Sequence, residues 1–93
     1  MIKSFADRET ERIFQREFSR KLPPEIQHRV RLKLEILDAA DKLEDLRIPP
    51  SNRLERLLGD RQGQHSLRVN DQWRVCFVWK DGDAYAVEIV DYH

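Results

Sequence analysis

The stretch HSLRVNDQWRVCFVWKDGDAYAVEIVDYH, residues 65–93, decides the fold. Its apolar residues recur at every second position, and polar pairs interrupt it at Asn70-Asp71 and Asp81-Gly82. Period two is the repeat of a strand, whose side chains alternate between faces, and Asn, Asp and Gly pairs supply the φ > 0 positions of tight hairpins. Three antiparallel strands are therefore predicted, over residues 65–70, 73–80 and 84–93. On the second, Trp73, Val75, Phe77 and Trp79 share parity, so both tryptophans belong to the core rather than to a base-stacking platform. On the third, Tyr85, Val87 and Ile89 share one face, which Asp91 and His93 continue, while Tyr92 points the other way with Ala84, Ala86 and Val90.

Upstream, the segment Ile2–Phe5 alternates briefly and predicts a first strand. Ile13, Phe14 and Phe18 recur at helical spacing, which predicts a helix over Arg8–Ser19. The prolines at 23 and 24 end that pattern, and Pro24 suits the first position of a second helix running to about Ala40, with Ile26, Val30, Leu34 and Leu37 on one face. Arg8, Arg12, Arg16 and Arg20 fall four apart, but Glu9, Glu11 and Glu17 interleave with them. A salt-bridged, solvated face is the favoured reading, with RNA contact a minor one. Residues 41–64 hold two prolines and two glycines and read as a connector with a short strand around Arg53–Leu58, closed by Gly59-Asp60. Strand, helix, helix and then a run of strands is an α+β arrangement: one domain over residues 1–93, helices on one face of an antiparallel sheet, the other face open to a ligand.

Hydrophobic residues make up 40% of the chain and charged residues 37%, a globular composition whose apolar runs are too short to cross a bilayer. No apolar signal region follows Lys3, and the lone Cys76 has no partner for an internal disulfide, so a cytoplasmic setting is expected. The net charge of zero hides an uneven distribution. Residues 47–80 carry seven basic side chains, six of them Arg, against three acidic ones, and residues 81–93 carry four acidic and no basic ones. Arginine grips phosphate with a planar fork, so the cationic middle points to a nucleic-acid partner.

Cys and His do not cluster at metal-ligand spacing, and neither a Gly-rich phosphate loop nor a Gly-x-Ser-x-Gly elbow is present. Acid-base chemistry remains. His93, Asp91, Tyr92, Glu55 and the arginines are the types that metal-free RNA cleavage requires: a base for the 2′-hydroxyl proton, cations for the phosphorane, and an acid for the leaving 5′-oxygen. Each also has a plainer reading, as a solvated tail, a packing tyrosine or the wet face of a strand. His28 reads as solvent-facing and His65 as structural.

Leu57, Gly59-Asp60-Arg61, Gly63, the segment HSLRVNDQWRV at 65–75 and the ending Asp91-Tyr92-His93 together resemble the HigB branch of the RelE/ParE toxin superfamily, as does LDAADKLEDLRIPPSNRLE at 37–55. The resemblance implies a RelE-like fold, with an N-terminal strand and helical hairpin packed on one face of a curved antiparallel sheet. It implies the toxin of a type II toxin-antitoxin system, entering the A site of the 70S ribosome and cutting mRNA through 2′-hydroxyl attack, with no metal or other cofactor. The partner implied is a HigA-like helix-turn-helix antitoxin, through which operator DNA is reached. Asp91, Tyr92 and His93 match the terminal catalytic group and Arg74 the arginine facing the scissile phosphate; from the cationic middle segment, Arg53, Arg56, Arg61 and Arg68 are expected as RNA or ribosome contacts. Two positions depart from the pattern: Glu55 stands where relatives can carry histidine, and Leu58 where they can carry lysine. Two other readings stay open, a ParE-like non-catalytic inhibitor of DNA gyrase and an attenuated toxin acting mainly in autoregulation.

Overall fold

Alternation in the C-terminal third produces the strands it predicts. A computed structural model describes residues 1–92. In it β1 (Glu55–Arg56), β2 (Gln64–Arg68), β3 (Trp73–Lys80) and β4 (Asp83–Asp91) lie side by side in that order, antiparallel throughout. Asp81 and Gly82 both take positive φ, 52° and 82°, as a tight two-residue hairpin demands. The Asn70-Asp71 turn works differently from the expectation, for neither residue has φ > 0. Instead the Asn70 side-chain oxygen accepts from the backbone N–H groups of Gln72 and Trp73, at 2.9 and 2.7 Å, and the side chain closes the loop.

Two helices precede the sheet, α1 (Arg8–Phe14) and α2 (Pro24–Ala39). Asp7 caps α1 by accepting from the Thr10 N–H at 2.7 Å, and Pro24 opens α2. Val30, Leu34 and Leu37 of α2 meet Leu67, Val75, Phe77, Ala84 and Val87 of the sheet in one fully buried cluster. Each large side chain there contributes about 1.5–3 kcal/mol relative to exposure. Trp73 and Trp79 pack against this cluster, in the core role expected of them. No helix among the described residues is long and apolar enough to cross a membrane.

The first helix is shorter than its apolar spacing predicts. Arg16 adopts φ 65°, its N–H bonds the Ile13 carbonyl, and the Glu17 N–H bonds the Arg12 carbonyl at 2.8 Å. That pair of bonds is the Schellman ending, here with arginine where glycine is usual. Phe18 consequently leaves the apolar stripe and is 62% exposed, while Ser19 is buried, held by Glu9 and Gln27.

The N-terminal strand does not form. Ile2 and Phe5 make only isolated parallel bridges, to Ala84 and Val87. The cause lies in β4: between the pairs Cys76↔Glu88 and Val78↔Tyr85, β3 advances two residues and β4 three. This bulge, with Ala86 at φ 51°, breaks the ladder that a fifth strand would extend. Ser4 turns its hydroxyl to accept from the Ala86 N–H at 2.8 Å, so Ile2 and Phe5 pack against the same core although their spacing of three would separate them on a regular strand.

Candidate active site on the outer face of the sheet

Strand pairing assigns faces. Arg74 pairs with Val90, and Cys76 with Ser66 and Glu88, on the side of the sheet opposite the helices, while Arg68, across from Arg74 at the end of β2, reaches round toward Lys33 of α2. The bulge moves Tyr85 to this outer side, opposite Val78, and separates it from Val87 and Ile89, contrary to simple parity. It leaves the parity of the chain end intact. Asp91 pairs with Trp73 on the helix side, where its carboxylate accepts from the Gln72 amide at 3.1 Å, and Tyr92 turns outward. His93 lies outside the described residues.

Arg74 is the centre of the outer face. The residue is 9% exposed and its guanidinium is held side-on: Nε donates to the Ser66 hydroxyl at 2.7 Å, and one terminal nitrogen donates to the Arg53 carbonyl at 2.7 Å. Arg53 presents that carbonyl from a left-handed conformation, φ 42°. The other terminal nitrogen faces Glu55 at 3.7 Å, beyond hydrogen-bond distance. The Tyr92 ring lies 6.0 Å from the guanidinium carbon, at the limit of a cation–π contact.

Beneath Tyr92 sits the fully buried Cys76, whose thiol neighbours the phenol. Burial pushes the Cys76 thiol up, and burial together with the neighbouring Cys76 pushes the Tyr92 phenol up, so both stay protonated near neutrality. From the turn at Gly59–Arg61, Arg61 reaches over this face to Glu88 at 2.6 Å and the Gln64 amide oxygen at 3.1 Å. The face therefore holds two arginines, each with a carboxylate opposite it. A phosphate landing here would exchange with Glu55 at Arg74, the looser of the two pairs.

Of the residues expected from sequence, Arg74, Glu55, Tyr92 and Arg61 come together, and Arg53 joins them through its backbone. Arg56 pairs with His65 on the helix side of the sheet, and Arg68 pairs with Asp71 and lies beside Lys33. Leu58 is 78% exposed. Of the predicted ridge, Arg12 on α1 pairs with Glu9, and Arg16, past the helix end, with Glu35 of α2, so the salt-bridged reading fits these two. Ser66, Cys76 and Glu88 complete the face and were not singled out from sequence. The parity of β2 and β3 carries the signal for the first two, since Ser66 alternates with Leu67, and Cys76 with Val75.

Two helices on one face of a four-stranded antiparallel sheet, with an anchored arginine on the other, are consistent with the small RelE-like toxins. A family described as the RelE-like toxin HigB of type II toxin-antitoxin systems matches residues 3–93, and the chain belongs to this HigB-like family. Among its relatives, Toxin HigB-1 of Vibrio cholerae is 45% identical over 85 residues, 90% of each chain. The Endoribonuclease HigB of Proteus vulgaris is 32% identical over 93 residues, the full length of both.

Proposed function

We propose that this toxin is an endoribonuclease that cuts mRNA in the ribosomal A site by metal-free acid-base catalysis. The 2′-oxygen attacks the adjacent phosphorus, its proton passes to a base, and the 5′-oxygen leaves with a proton from an acid, giving a 2′,3′-cyclic phosphate and a 5′-hydroxyl. Arg74 faces the phosphorane oxygens and Arg61 the neighbouring phosphate. Tyr92 positions the substrate, and His93, oriented by Asp91, carries a proton at the chain end. Glu55 is the alternative base and the resident counter-ion of Arg74.

The observation that carries this reading is Arg74, fixed by Ser66 and the Arg53 carbonyl with one nitrogen turned toward Glu55. A guanidinium held rigidly and matched by a loose carboxylate is prepared for an anion whose charge grows in the transition state. The relative named an endoribonuclease supports the same chemistry. A second reading, an attenuated toxin, is favoured by the two carboxylates that already face Arg61 and Arg74.

The test is to map mRNA 5′ ends in a translation extract given wild-type toxin, Arg74→Lys or a variant lacking His93. Codon-phased cuts are expected with wild type, strongly reduced in both variants. Undiminished cutting by Arg74→Lys would remove Arg74 from the chemistry, and inhibited DNA supercoiling without any cuts would favour gyrase as target.

A further inference from the structure

A second feature shares no residue with the Arg74 cluster. α2 and the end of β2 enclose a cleft of about 290 Å³. Its lining combines the apolar Leu32, Ile36 and Val69 with Ser51 and the cations Arg29, Lys33 and Arg68. Leu32 is 44% exposed, although it sits on a helix whose other leucines are buried. Lys33 is half-buried and firmly seated. Its ammonium donates to the Asn52 side-chain oxygen at 2.5 Å, and the buried Asn52 in turn donates to the Leu46 and Ile48 carbonyls. Burial, then the charges of Arg29 and Arg68, hold the Lys33 pKa below the usual lysine range. Against these three cations, the one carboxylate ion-paired to any of them among the described residues is Asp71, 98% exposed and bonded to Arg68.

Three cations beside apolar side chains call for a ligand with carboxylates flanking an apolar side chain. A nucleic-acid backbone would match the cations and leave Leu32 and Ile36 uncovered. Membership of a type II toxin-antitoxin family implies a protein partner that binds the toxin. We propose that this cleft docks an acidic segment of the cognate antitoxin, anchored by an apolar side chain over Leu32 and Ile36 with its carboxylates on Arg29, Lys33 and Arg68. The proposal rests on family membership and is independent of the cleavage mechanism.

The test uses Arg29→Glu and the double variant Arg29→Glu/Leu32→Glu, both at exposed positions of α2 that tolerate Glu in a helix. Affinity for the purified antitoxin encoded with the toxin is measured by calorimetry over a range of salt concentrations, alongside mRNA cleavage by free toxin. The double variant is expected to bind roughly tenfold or more weakly, as loss of an anchor and a complementary charge entails, and to lose part of the wild-type salt dependence. Its cleavage should be unchanged. Unchanged antitoxin affinity in the double variant would overturn the proposal. So would loss of cleavage with antitoxin binding intact, which would assign the cleft to ribosomal RNA. If wild type cuts no mRNA while the variant still loses the antitoxin, the docking stands and the cleavage reading falls.

Discussion

Ser66→Ala removes one hydroxyl and tests how Arg74 is held. Ser66 is completely buried and Arg74 is 9% exposed, so water does not readily replace the lost oxygen. The bond broken is the 2.7 Å contact from Arg74 Nε. A hydrogen bond to a charged group contributes about 1.5–3 kcal/mol, and stranding the buried donor places the loss toward the upper end. Arg74 keeps its bond to the Arg53 carbonyl, which prevents collapse of the whole arrangement. For a domain of this size each kcal/mol is worth about 4–8 °C in Tm, so thermal unfolding should shift by roughly 10 °C or more. The decisive assay is a double-mutant cycle with Arg74→Met, read by urea unfolding. If Ser66 acts through Arg74, the two losses fall short of additivity by about 1.5 kcal/mol or more. Additivity within about 0.5 kcal/mol would refute the coupling.

Glu55→Gln should raise the cleavage rate in a translation extract by up to about fivefold, because the Glu55–Arg74 pair is long, half-exposed and worth about 1 kcal/mol at most; a slower variant would instead make Glu55 the base. His65 stacks on Phe77, and burial, with the charge of Arg56, lowers its pKa below the usual 6.5. The folded protein thus resists protonating His65, and the stability that depends on the neutral ring is lost as pH falls from about 6.5 toward the lowered value. The urea midpoint should fall as pH drops below about 6.5, and His65→Gln should flatten that slope; an unaltered slope would exonerate His65. Cys76, fully buried and with its thiol pKa raised, should react with iodoacetamide only as fast as the protein unfolds. Rapid labelling of native protein would contradict its placement beneath Tyr92.

The C-terminal strands were legible because Trp73, Val75, Phe77 and Trp79 alternate over a length that only a strand explains. The second helix was equally legible from Ile26, Val30, Leu34 and Leu37. What escaped depended on backbone conformations that the residue types do not announce. Arg16 and Ala86 both take positive φ, where a glycine would have signalled a helix ending and a bulge. Phe18 then fell off its predicted stripe, Tyr85 changed face, and the N-terminal strand shrank to two bridges. At the site, Arg74 and Tyr92 were identified by resemblance, but their supports were not. Ser66 comes into play through the pairing of β2 with β3, whose strands were legible although its role was not, and the Arg53 carbonyl through a left-handed turn that has no residue-level signature.

The bulge at Ala86 has a bearing on the end of the chain. One additional residue in β4 sets the phase of everything after it, so Val87, Glu88, Ile89, Val90, Asp91 and Tyr92 occupy their sides of the sheet by virtue of a single insertion. Remove Ala86 with the upstream hairpin held in place, and each later side chain crosses over: Asp91 would arrive on the side of Arg74, and Tyr92 among the tryptophans. Which chemical group confronts the arginine is thus decided six residues before it. The same deletion would turn Val87 and Ile89 out of the core and Glu88 into it, so the packing of the core and the group that meets the arginine are held to one phase.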